Sequence, residues 1–499
     1  MDTAKIKSDC CRLVGYLRDL AKVKGEIVRV PWNRFKISRK MPLNPPGAQL
    51  SRRETITGSA ATLAAACVLT GCATDPPDPV FRPPLPDDTE LGRRIDNATA
   101  LAVGGEPLNA VLLRSFYERH NFEPVWTARQ AQADSLVDAV LRAGSQGLDP
   151  DLFHAALLQR RVTLPPLDQE LLLSDAFLAY AGALAHGAVP VKRRGPDETL
   201  TPGPVDVPAA LDAAIGSPDP GAAIEALAPA TPAYRALRKA LPKYHSAAIA
   251  GNQEAAKRFR KVAVNLERQR WLPRPMPEER VWVNVADERL EFYRANEPVF
   301  STRVVVGQDI KRDQSPEFRA TIESSFFNPP WVVPRDIVKR EMLPLINRDP
   351  DYLAKNDMIM LANGEVEQLP GPEAGLGLIM FDMPNRFDVY LHDTPDRSIF
   401  NFADRRISHG CIRVQYPREL ASLLLRQPMA TIDQEIAQGK TIQRDLPVPV
   451  PVFVVYQTAF LGSDGALQFR PDFYKRDAEI WRQLQRGSQG EPNAGVRFE

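Results

Sequence analysis

Apolar residues return at helical spacing between positions 97 and 188: Leu112 with Phe116, Leu136 with Val140, then Leu173, Phe177 and Leu184. Gly144, Gly147 and Pro150 punctuate that run, which predicts several helices rather than one. Residues 189–229 are rich in Pro, Gly and Ala and predict irregular chain. Helical spacing resumes, heavily charged, over 233–271. At Val281 the period changes to two. Residues 281–285, 289–294 and 303–307 read as successive strands with turns at Asp287-Glu288 and Asn296-Glu297. Residues 387–392 read as another strand, with Phe387, Val389 and Leu391 on one face and Tyr390 and His392 on the other. Residues 450–456 form a late strand, and the polar stretch 486–499 predicts a disordered tail. The fold class is α+β, a helical module followed by a β-rich one.

The β-rich half carries the candidate chemistry. Cys411 is the only cysteine after Cys72 and sits in Ser408-His409-Gly410-Cys411-Ile412-Arg413-Val414, with His392 19 positions upstream. A thiol near ~8.5 in pKa is mostly protonated at neutral pH, so a nucleophilic cysteine needs an imidazole to take its proton. A buried, inert cysteine beside unrelated histidines would show the same spacing. No cysteine spacing suits a zinc site, and neither metal nor cofactor is expected. His120, His154, His186 and His245 in the helical half read as surface or core residues.

Composition narrows the classes. A chain of 499 residues with 44% hydrophobic content can bury two or three cores. With 63 basic and 62 acidic side chains the net charge is +1, which argues against a nucleic-acid partner. No apolar run long enough to span a bilayer follows the signal-like region.

That region is residues 58–70, small and apolar, preceded by Arg52-Arg53 and running into Leu69-Thr70-Gly71-Cys72. The layout predicts a cleaved signal peptide. Leu-Thr-Gly-Cys resembles the bacterial lipobox, which implies that Cys72 is acylated and becomes the first mature residue. With Ala73 next, the resemblance implies anchoring at the outer membrane, facing the periplasm. Ser51-Arg52-Arg53 resembles a twin-arginine signal loosely. Met41 lies just upstream, so residues 1–40 read as an extension before the true start. Six prolines between Asp75 and Pro86 make 73–91 an extended tether.

His392-Asp393-Thr394-Pro395, followed after a loop by Ser408-His409-Gly410-Cys411-Ile412-Arg413-Val414, resembles the active-site motif of the YkuD-type L,D-transpeptidases. Residues 281–475 look like their catalytic domain. Asn265-Leu266-Glu267-Arg268, Arg270-Trp271-Leu272-Pro273, Asn328-Pro329 before Trp331, and Leu446-Pro447-Val448-Pro449-Val450 are similar to the larger Gram-negative type, as is the helical scaffold around Gly147-Leu148-Asp149-Pro150. The resemblance implies a scaffold domain over 92–275 and a catalytic domain over 276–485 with a substrate-capping lid near 337–370. The small wall-binding domain usual between scaffold and Asn265 has no room here.

The implied activity is cross-linking of peptidoglycan stem peptides through a thioester on Cys411, between two third-position residues. His392 is assigned as base, and Asp393 or a backbone carbonyl as the group that orients it. The backbone N–H groups of His409, Gly410 and Cys411 are expected to form the oxyanion hole. His409 is expected to help with substrate or charge, Ser408 to brace the loop, and Arg413 to meet a substrate carboxylate. Tyr390, Trp331 and Phe381 are candidates to line the donor cleft. An L,D-carboxypeptidase, an enzyme attaching or detaching envelope proteins, and a non-catalytic wall tether are the rival readings.

Overall fold

The computed structural model describes residues 89–96 and 101–485. The signal-like segment, Cys72, most of the tether and the tail after 485 lie outside the described residues. Among those described, no helix is long and apolar enough to cross a membrane.

The helical half is organised around Pro166–His186, which begins on Pro166 with Asp168 in its first turn and stops at Gly187. Nearly every side chain from Glu170 to Ala185 is buried, so apolar residues surround this helix rather than forming a stripe. Burying each Leu or Phe there contributes roughly 1.5–3 kcal/mol. Glu170 is tolerated inside because it accepts from the Val125 and Trp126 amides and the Tyr117 hydroxyl. The stretch expected to be irregular, 189–229, instead holds two short helices, Val207–Ile215 and Pro220–Glu225. Asp206 and Asp219 cap them, accepting from the Ala209 and Ala222 amides, with proline in each first turn. That Asp-before-Pro signal was legible; the abundance of Pro and Gly obscured it.

Two long helices, Pro232–Ile249 and Gln253–Arg270, form a hairpin that leads into the β-rich half. The buried end of the second, Asn265–Arg270, is polar, and its partners explain why. Asn265 exchanges hydrogen bonds with the Thr458 backbone and hydroxyl, Arg268 pairs with Asp477 at 2.5 Å, and Arg270 pairs with Glu267 at 2.9 Å. Phe453, Val455, Ile480 and Leu484 belong to the same apolar core as the scaffold helices. Scaffold and sheet therefore share packing across their boundary.

The sheet is built from β1 (Arg280–Asn284), β2 (Arg289–Arg294), β3 (Glu297–Gly307) and β4 (Phe318–Phe327). A small sheet of β5 (Trp331–Val333), β6 (Met358–Met360) and β7 (Val366–Gln368) follows. The main sheet continues with β8 (Ile379–Asp382), β9 (Leu391–His392), β10 (Arg406–Ser408), β11 (Ile412–Val414) and β12 (Ile442–Val455). Its order is β10-β3-β11-β9-β8-β4-β12-β1-β2, and β2 also pairs with the first half of β3, so the sheet closes on itself.

Three strands differ from expectation, the first being β3, which begins at Glu297 rather than at Arg303. β12 starts eight residues earlier than the sequence pattern indicates, because its register breaks between Asp445 and Val450, where Pro447 and Pro449 cannot donate to the ladder. The strand expected over 387–392 is reduced to Leu391–His392. Asn385 folds the preceding residues into a turn, its side chain bonding the Met383 and Val389 carbonyls and the Phe387 amide, and Asp388 adopts φ +53°.

Candidate active site

Parallel pairing sets the geometry. Leu391 lies against Ile412 and His392 against Arg413. Leu391, Ile412 and Val414 are fully buried in the core beneath. Strand alternation turns Tyr390, His392, Cys411 and Arg413 to the opposite face together. Cys411 is level with Tyr390, and His392 stands one strand across and two positions along. The thiol and the imidazole thus share a face without a hydrogen bond between them. The sulfur lies 3.9 Å from the Asp388 carbonyl, with the Tyr390 amide beside it.

His392 is 4% exposed, and its Nδ1 lies 2.6 Å from the carbonyl of Asp393. That carbonyl, not the Asp393 carboxylate, orients the ring; the carboxylate pairs with Arg397 and accepts from the Leu378 amide. Burial and the Arg413 cation push the imidazole down to about 3, against the opposing effect of the Asp393 and Leu376 carbonyls. Burial also raises the Cys411 thiol, only partly offset by the Tyr390 amide and Arg413. The resting pair is therefore neutral thiol beside neutral imidazole. Arg413 is half-buried, and its Nε has no hydrogen-bond partner among the described residues.

Ser408 braces the loop from inside. Its Oγ donates to the Cys411 carbonyl at 2.6 Å and accepts from the Gly410 amide at 3.1 Å. This corrects the expected oxyanion hole, because a Gly410 N–H committed to Ser408 is not free for substrate. The amides of His409 and Cys411 have no backbone acceptor among the described residues. Gly410 itself sits at φ +114°, where any side chain would be strained although space is open.

Phe381 was expected in the cleft and is instead fully buried, facing the core beside Leu391. Alternation explains it, since Phe381 pairs with Leu391 and takes the inward side. Trp331 opens the small three-stranded sheet and packs on that sheet's own core of Val333, Ile337, Met342, Ile346, Leu353 and Val366. Nothing places it against Cys411. Among the described residues no group of three or more His, Cys, Asp or Glu could hold a metal.

Residues 278–450 match YkuD, the L,D-transpeptidase catalytic domain, and residues 111–241 match the Scaffold domain. The chain carries an L,D-transpeptidase catalytic domain behind a scaffold domain. A Haemophilus influenzae protein whose name marks it as a candidate L,D-transpeptidase is 29% identical over 280 residues, covering 52% of this chain. The chain spans about half the length of that curated relative, 55%. Two solved structures, the Ldtfm-avibactam carbamoyl enzyme and Mycobacterium tuberculosis L,D-transpeptidase 1, are each 12% identical over 36% of this chain. They are covered to 49% and 61%, and both have a TM-score of 0.18, too slight a likeness to place any residue.

Within the L,D-transpeptidase domain the small sheet and the helices between β5 and β6, residues 331–368, have an apolar core of their own and overlap the stretch 337–370. A π-turn at Val338–Met342 presents its charges to the catalytic loop. Glu341 Oε1 lies 2.8 Å from His409 Nε2, and Arg340 lies 3.6 Å from Asp313. His409 is thus engaged by the insertion, on the rim of the site.

The neutral pair has a kinetic signature. With the thiol raised and the imidazole depressed, Cys411 has no stored thiolate at neutral pH. Alkylation by iodoacetamide is expected to quicken roughly tenfold per pH unit from pH 6 to 8, following the free thiolate. A rate that levels off below pH 7 would instead reveal a preformed thiolate–imidazolium pair.

Proposed function

We propose that this chain is a peptidoglycan L,D-transpeptidase that forms third-to-third stem cross-links through a thioester on Cys411. The observation that carries this reading is the grouping of Cys411, His392, Tyr390 and Arg413 on one face of adjacent strands, beneath a loop with an unpaired amide. Cys411 Sγ attacks the carbonyl carbon of the L,D-peptide bond of a tetrapeptide donor, and His392 takes the thiol proton. The carbonyl oxygen gains the electron pair and is held by the Cys411 N–H. As the C–N bond breaks, His392 returns the proton to the departing D-amino acid. An acceptor amine then attacks the thioester, gives its proton to His392 and releases the thiol.

Arg413, with its Nε unpaired, suits a stem carboxylate. The Trp331–Gln368 insertion, tied to His409 through Glu341, would cover the acyl-enzyme and exclude water, which favours transfer over hydrolysis. The same reading places the body at the cell envelope, in the periplasm, with a lipid anchor on Cys72.

Incubating the full chain with purified tetrapeptide stems and weighing the products tests this. A dimer lacking one terminal D-residue is expected. A trimmed tripeptide alone would make the enzyme an L,D-carboxypeptidase, and unchanged stems would leave a wall-tethering role.

A further inference from the structure

Three peptide planes meet at the catalytic loop, the outer two held by Ser408 and the middle one by Ser315. The His409–Gly410 plane is fixed by its N–H on Ser408 Oγ. The Cys411–Ile412 plane is fixed twice, its carbonyl accepting from Ser408 Oγ and its N–H donating to the Tyr390 carbonyl at 2.9 Å. Between them lies the Gly410–Cys411 plane. Its carbonyl accepts from Ser315 Oγ at 2.8 Å. A trans peptide points its C=O and N–H in opposite directions within one plane. Drawing the Gly410 carbonyl inward to Ser315 therefore turns the Cys411 N–H outward, to the side where substrate must lie.

Ser315 is itself held on every polar atom. Its Oγ accepts from the Gly307 amide at 2.9 Å, its N–H donates to Tyr474 Oη at 3.2 Å, and its carbonyl accepts from Arg476 Nη2 at 2.9 Å. Tyr474 Oη in turn donates to the Gly307 carbonyl at 2.5 Å. The fit at Gly307 is tight, since a Cβ there would collide with the Asp313 carbonyl. Arg476 also pairs with Glu317 Oε1 at 3.2 Å. The Glu317 backbone bonds residues 197 and 199 of the chain before the catalytic domain. Ser315 is fully buried and touches no open face of the site, so its hydroxyl acts only through the loop. Tyr474 and Arg476 lie beyond the matched catalytic domain, which ends at residue 450.

We propose that Ser315, clamped by Tyr474 and Arg476, is the positioning residue that aims the Cys411 amide at the oxygen of the tetrahedral intermediate. This rests on the acyl-transfer reading above and assigns the main oxyanion duty to the Cys411 amide rather than sharing it with that of His409.

The test compares two reactions of one thiol in the full-length chain. Acylation by a tetrapeptide stem builds an oxyanion, whereas alkylation by iodoacetamide displaces iodide at a saturated carbon and builds none. Ser315→Ala is expected to slow acylation about 10²-fold, the loss typical of one oxyanion donor. Its alkylation rate should stay within about twofold, because only the loop amide is released. Tyr474→Phe should do the same to a smaller degree, and it decides the matter if Ser315→Ala loses its folded near-ultraviolet spectrum. Unaltered acylation in the folded variants, or acylation and alkylation falling together, would overturn the positioning role alone. A wild-type chain that forms no acyl-enzyme would overturn the functional reading and this inference with it.

Discussion

Cys411→Ala is expected to lower formation of cross-linked product by roughly 10⁴-fold or more, to the level of the uncatalysed background. Under the proposed mechanism the reason is covalent, since the thioester has no other nucleophile. Cys411 is the only free cysteine among the described residues. The fold should survive the change, because Cys411 is only partly buried and its sulfur meets backbone groups, the Asp388 carbonyl at 3.9 Å and the Tyr390 amide. Mass spectrometry of the protein after exposure to stem peptide checks the outcome, as wild type should gain the acyl mass and the variant should not. A variant that still yields dimers would show that another group carries the acyl chain.

Replacing the base should come next in size. His392→Gln is expected to slow acylation by about 10²–10⁴-fold, the usual range for removing a positioned base. Glutamine can still donate to the Asp393 carbonyl, now 2.6 Å from His392 Nδ1, so the strand end is kept while proton acceptance is lost. Stopped-flow acylation of a folded variant measures it; a loss below tenfold would leave His392 a structural residue. The depressed imidazole, about 3, gives a sign to the pH profile. His392 stays unprotonated down to that range, so acylation should not fall as pH drops through 6. Much of the depression comes from burial and the Arg413 cation. A stem carboxylate paired with Arg413 would remove the second cause and raise the basicity of His392 when substrate is present. The base is thus weakest in the empty site, where a reactive thiolate would be exposed to oxidation.

The insertion between β5 and β6 bears on the choice between transfer and hydrolysis. Its polar contacts with the catalytic half include the half-exposed pair of Glu341 with His409 and the pairing of Arg340 with the buried Asp313, while its apolar residues pack among themselves.

The sequence by itself determined the two halves, the change of hydrophobic period at Val281 and the residues around Cys411, because each is a local pattern. It determined equally that Tyr390 and His392 share a face, since alternation needs only neighbours in the chain. It misread Phe381, the late proline-rich strand and the 387–390 turn, where pairing register, a break in the ladder and the Asn385 side chain overrule local preference. Only the tertiary structure decided how the Cys411 amide is aimed, because Ser315 and the Tyr474–Arg476 segment reach the loop from far away in the chain, beside Ser408 within it. Hydrogen bonds between remote segments leave no periodic trace in a sequence, so the direction of a single N–H could be read only once the chain had folded.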